Sequence, residues 1–229
     1  MRASLVWIGG RLRPLLAAKL AITVALTALF CASWYLIPRH LLVQPRGLPL
    51  TDLERSLPFV EGWVYVYLSV GLFNIVAPYL TVSRSLLQRH VWGFTAITAA
   101  SFVCFALFPV EVPAPTGRAT TLLYGFVLAD TRLNNFPSLH ASYTVYGLLY
   151  WMHILPEVPP RAARHLTAIV VAAWGAALIL SALFLKQHYL ADLAAGGALG
   201  GLTYWLGFRR PAGDRPEALP LAAHTETYS

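Results

Sequence analysis

The sequence predicts an all-α integral membrane protein, a bundle of six transmembrane helices with both termini in the cytoplasm. Composition is the first reason. The 229 residues are 57% hydrophobic and 12% charged, with mean hydropathy +0.59; a soluble domain carries about 25% charged residues. Six apolar segments are the second: Leu15–Ile37, Trp63–Leu80, Val91–Val110, Leu139–Leu155, Leu166–Leu185 and Tyr189–Phe208. About 20 apolar residues cross a hydrocarbon core as a helix. The third is the distribution of basic residues. Arg2, Arg11, Arg13, Lys19, Arg84, Arg89, Arg161, Arg164, Arg209, Arg210 and Arg215 fall on one side of such a bundle. Arg39, Arg46, Arg55, Arg118, Arg132 and Lys186 fall on the other. The richer side faces the cytoplasm, and the net charge of +7 suits anionic lipid there.

The first segment reads as an uncleaved span. Its apolar run is too long for a signal-peptide core, and no small-x-small cleavage site follows cleanly. Bulky Phe30 before Cys31 argues against lipoprotein processing. Cys31 and Cys104 both lie within spans and read as small apolar core residues rather than a disulfide.

The outer loop Pro38–Gly62 follows. In it, Thr51-Asp52-Leu53-Glu54 has the form of a capping box. A short helix on the outer membrane surface is expected there, with Leu53, Leu57 and Phe59 toward lipid. The second and fourth spans are short. The inner loops Thr81–His90 and Pro156–His165 are short and basic. The second outer loop, Glu111–Pro137, begins with Pro113 and Pro115 and then carries Arg118, Asp130, Arg132, Asn134 and Asn135. In the last span Gly196, Gly197, Gly200 and Gly201 put small residues on one face. Helices approach closely at such stripes, within this bundle in preference to across a homo-oligomer. Residues 1–208 are read as one catalytic membrane domain and 209–229 as a disordered cytoplasmic tail. Nothing in the chain suits nucleic acid, since no soluble basic domain is present.

Two short motifs carry the chemistry: Asn135-Phe136-Pro137-Ser138-Leu139-His140 and Lys186-Gln187-His188-Tyr189-Leu190-Ala191-Asp192. Polar groups at hydrocarbon edges are costly unless used. The predicted topology puts Ser138 and His140 at the outer end of span four, and His188 at the outer end of span six, at the same depth. His188 and Asp192 are four residues apart, one above the other on a helix face. A carboxylate there accepts the ring N–H, fixes the tautomer and sharpens the other nitrogen as a nucleophile. Both outer ends are helix N-termini, where free N–H groups suit a phosphate. Ser138 can cap span four and offer its hydroxyl or N–H. Lys186, Arg118 and Arg132 lie on the same side and can neutralise a phosphate's charge. A zinc site built from His140, His188 and Asp192 is the rival chemistry, but no fourth ligand is evident. His40, His90, His153, His165 and His224 read as packing or interfacial residues.

Pro137-Ser138-Leu139-His140 followed by His188 and Asp192 resembles the second and third motifs of the type 2 phosphatidic acid phosphatase superfamily, which also includes vanadium haloperoxidases. The resemblance covers mainly residues 111–200. It implies that His188 attacks phosphorus to form a phosphohistidine, that Asp192 orients it, and that His140 protonates the leaving group, with no metal or other cofactor. Three departures stand out. Leu139 replaces the common glycine. Ser181-Ala182 stands where Ser-Arg is usual, so Lys186 is the candidate replacement charge. The first motif is not visible, and Arg118 and Arg132 are the candidates for its role. The spelling is closest to the inositol phosphorylceramide synthase branch, whose members move phosphorylated head groups between lipids.

The expected function is therefore a membrane lipid phosphatase or phospho-head-group transferase. Its substrate is a lipid phosphate or phospholipid in the bilayer, taken at the extracytoplasmic face of a bacterial-type plasma membrane. The alternative is a non-catalytic lipid-binding scaffold or transporter with a degenerate site.

Overall fold

The computed structural model describes residues 2–36, 42–113, 120–128 and 132–209. The predicted tail thus lies almost wholly outside the described residues. Among the described residues ten α-helices run in chain order: α1 (Arg2–Leu12), α2 (Leu16–Leu36), α3 (Asp52–Ser56), α4 (Val64–Leu68), α5 (Val70–Leu80), α6 (Arg84–Leu107), α7 (Leu122–Leu128), α8 (Leu139–Ile154), α9 (Arg161–Phe184) and α10 (Leu190–Phe208). No strand accompanies them among the described residues, only isolated bridges that tie Val110 to Arg46 and to Asn134.

Among the described residues each of the six apolar segments is largely helical. Three stretches among the described residues, Glu61–Leu80, Arg84–Leu107 and Arg161–Phe184, are long and apolar enough to cross a membrane on their own. A fourth joins them if α1 and α2, bent by 72°, count as one span. Pro14 lies at that bend; lacking an N–H, it cannot continue a helix. α8 has only 16 residues, short of a full crossing. Large apolar side chains such as Val24, Leu72, Leu166 and Ile169 are exposed on the helix surfaces, as a lipid-facing wall requires.

Several boundaries differ from the sequence expectation. The inner loop read as Thr81–His90 shrinks to three residues, because Ser83 caps α6 by accepting Leu86 N–H. His90 is therefore a buried helical residue, its ring 4.7 Å from that of Tyr150. Likewise α9 starts at Arg161, so its inner loop is also shorter. Lys19 is not a surface charge: it is 1% exposed and its ammonium donates to the carbonyls of Arg11 and Tyr79. These lie near the C-termini of α1 and α5, where a cation is favoured. Cys31 is exposed on the outside of α2, and both cysteines are free.

α8 is the axis of the bundle, in contact with α5, α6, α9 and α10. Its buried tyrosines point in several directions and find partners. The Tyr143 hydroxyl meets Thr98 at 2.6 Å, the Tyr150 hydroxyl meets Thr81 at 2.8 Å, and Tyr146 donates to the carbonyls of Arg89 and His90. Against this axis α10 packs backbone to backbone. A Cβ on Gly196 would sit 2.3 Å from the Ser138 carbonyl oxygen, and one on Gly200 would sit 2.3 Å from that of Ser142. Only glycine permits this approach, and it holds the starts of α8 and α10 side by side.

Candidate active site

The turn before α8 and the turn before α10 meet at one end of the bundle. Ser138 is the N-cap of α8; its Oγ accepts Ala141 N–H at 3.2 Å. Its own N–H donates to the Asp192 carbonyl at 3.0 Å, joining the two helix starts directly. His188 stands two residues before α10, not on the helix face that the four-residue spacing suggested. The pairing with Asp192 forms all the same, through cap geometry. Asp192 Oδ2 accepts Tyr189 N–H at 3.1 Å and lies 3.3 Å from His188 Nδ1. That arrangement suits a proton on Nδ1 and leaves the Nε2 lone pair facing Ser138 Oγ, 3.3 Å away.

His140 lies in the first turn of α8. Its ring centroid is 6.3 Å from that of His188. Nε2 donates to the Leu178 carbonyl on α9 at 3.0 Å, so Nδ1 is the nitrogen left for proton exchange. Tyr67 of α4 lies flat on this imidazole, 4.3 Å between centroids and 2° between planes. The four groups are deeply set: Ser138 and Asp192 are 0% exposed, His140 6% and His188 9%. A cavity of about 340 Å³ reaches His188 from outside, walled by Leu50, Leu57, Phe59, Leu183, Glu54 and Lys186, among others.

The predicted phosphate-binding cations behave differently. Lys186 lines the cavity, and its ammonium donates to the carbonyls of Glu54 and Leu57, both at 2.6 Å. Arg132 spans the loops: it donates to the carbonyls of Val112, Pro113 and Lys186. Both side chains thus brace the backbone around the site. Arg118 lies outside the described residues. Among the described residues no three His, Cys, Asp or Glu side chains converge as a metal set.

Sequence reasoning missed two neighbours. Tyr67 stacks on His140, and nothing in the chain marks it among the aromatics of its span. Glu54, buried beside His188, was visible only as half of a capping box. That box forms: Glu54 N–H donates to Thr51 Oγ1, and Thr51 N–H to Glu54 Oε2. The expected lipid-facing row is only partly present. Leu53 is 56% exposed, whereas Phe59 packs on Tyr124 and Leu57 joins the cluster of Ala182 and Leu183.

Residues 113–215 match the family model of the PAP2 superfamily, which supports the superfamily resemblance, and the apolar helices suit a membrane protein. No curated protein and no solved structure matches the chain. The matched segment contains Ser138, His140, His188 and Asp192.

Proposed function

We propose that this protein is a membrane enzyme that cleaves a lipid phosphate or phosphodiester through a phosphohistidine on His188. The observation that carries the reading is the buried chain Asp192–His188–Ser138 beside a second imidazole, with His188 at the wall of a cavity. With its Nδ1 proton held by Asp192, His188 presents Nε2 to phosphorus. The P–N bond forms as the P–O bond to the lipid breaks, and the departing oxygen takes a proton from His140 in its charged form. His140, now neutral, removes a proton from the acceptor hydroxyl. That oxygen attacks phosphorus, the P–N bond breaks, and Nε2 recovers its electron pair. Asp192 balances the positive charge that the His188 ring carries in the intermediate. Ser138 Oγ, already within reach of Nε2, takes the role of donor to a phosphoryl oxygen. Charge spread over those oxygens is the main target for stabilisation in phosphoryl transfer.

The acceptor is water or a lipid or polyol hydroxyl. Phe136-Pro137-Ser138-Leu139-His140 favours the transferase branch in spelling, and inositol phosphorylceramide synthase is its model. In this reading a six-span chain with cytoplasmic termini carries the site at the extracytoplasmic face; Arg118 is a phosphate ligand, and Lys186 and Arg132 become ligands once their bracing contacts yield to substrate.

Replacing His188 by Ala should abolish turnover while the purified protein keeps its thermal transition. Asp192→Asn should lower kcat by about 10²-fold or more, the scale of losing the orienting partner of an imidazole. The assay is incubation of pure protein with lipid phosphates, with and without inositol or ceramide. Released phosphate marks a hydrolase and a new phospholipid a transferase. Substantial activity in the His188→Ala protein would refute the assignment.

A further inference from the structure

Glu54 takes no part in the chemistry above, yet its position calls for an explanation. It is 5% exposed and lines the same cavity as His188. Its carboxylate is fully engaged. Oε2 accepts both the N–H and the hydroxyl of Thr51 at 2.6 Å, and Oε1 accepts Leu190 N–H, also at 2.6 Å. Leu190 is the first residue of α10, where the backbone N–H has no partner within the helix. The other hold is at Lys186, whose ammonium is taken by the carbonyls of Glu54 and Leu57. Lys186 itself has φ 53°, a left-handed backbone uncommon outside glycine. The short helix α3 therefore grips the turn carrying His188 two residues before it and two residues after it.

We propose that Glu54 is a positioning residue that fixes the His188 turn from outside, through the Leu190 N–H. As a catalytic role it rests on the function proposed above; the grip itself is measurable without turnover. Burial pushes the Glu54 carboxyl up, but the hydrogen bonds from Thr51 and Leu190 and the charge of Lys186 outweigh it, and the group is held below the usual carboxylate range. It is thus an anion at neutral pH, facing a helix N-terminus.

The experiment is a double-mutant cycle on the full chain in detergent. Glu54→Ala should lower kcat by about 10-fold to 100-fold with KM little changed, the scale of a misplaced reacting group. Leu190→Pro removes the N–H at a first helical position, where proline fits and where the extended Tyr189 suits a following proline. In that background Glu54→Ala should cost almost nothing further. Amide hydrogen exchange over residues 187–192 should quicken in Glu54→Ala and not in a surface control such as Asp52→Ala.

Fully additive kcat losses, or exchange unchanged at 187–192, would overturn the inference. If Leu190→Pro fails to fold, the exchange comparison alone decides. The two readings fail separately. An inactive His188→Ala with a fully active Glu54→Ala sinks this inference only. A fully active His188→Ala sinks the enzymatic proposal, and exchange then judges the grip.

Discussion

At the scale of single residues, the imidazole of His140 is held by two contacts of different kinds. The Leu178 carbonyl fixes one ring nitrogen, and the flat face of Tyr67 fixes the ring plane. Aromatic pairs contribute about 0.5–1.5 kcal/mol beyond the area they bury. Tyr67→Ala should therefore lower kcat by about 2-fold to 10-fold, whereas Tyr67→Phe, which keeps the stack, should retain most of it; steady-state kinetics on both variants checks this. His140, His188, Asp192 and Ser138 were legible as a group because each is polar at the edge of an apolar run. Their pairing was legible less well. Spacing suggested a helix-face pair, and the chain instead uses the cap before α10, which periodicity does not encode. Lys186 and Arg132 were read from charge and side alone. Which backbone carbonyls they reach depends on loop paths that sequence patterns leave open.

At the scale of elements, the α8–α10 seam is set by two glycines. Gly196 and Gly200 leave no room for a methyl group against the carbonyls of Ser138 and Ser142. A backbone carbonyl cannot swing aside as a side chain can, so the helices must part. Gly196→Ala and Gly200→Ala should each destabilise the protein by about 1–3 kcal/mol, the usual cost of overpacking. Gly196→Ala should also lose more activity than Gly200→Ala, because it acts beside Ser138. Gly201→Ala, with nothing within 4 Å, is the control. Thermal unfolding in detergent and activity assays test the set. The stripe was readable as close packing, and the partner helix was not named by it. Helix starts were misjudged where a cap decides: Ser83 begins α6 inside what composition marked as a basic loop.

At the scale of the whole molecule, hydropathy picked out six segments that are largely helical among the described residues, since lipid-exposed and core-facing apolar residues both register in it, but it did not mark α1, α3 or α7. It did not reveal the 72° bend between α1 and α2, nor that α8 is buried on nearly every side by neighbouring helices, with its own tyrosine hydroxyls finding partners there. The proposed orientation has a direct check. In a background with Cys31 and Cys104 replaced by Ala, a cysteine at Arg55 should react with a membrane-impermeant maleimide on intact cells. One at Arg161 should react only after permeabilisation. The reverse pattern would turn the site toward the cytoplasm. For the lipid substrate proposed above, the glycine seam also has a consequence for how it arrives. A fatty chain sliding in from the surrounding bilayer finds the α8–α10 flank sealed by touching main chains. An open approach among the described residues runs past Leu57, Phe59 and Leu183, so for the proposed lipid substrate preference for tail length and saturation should be written in those three side chains.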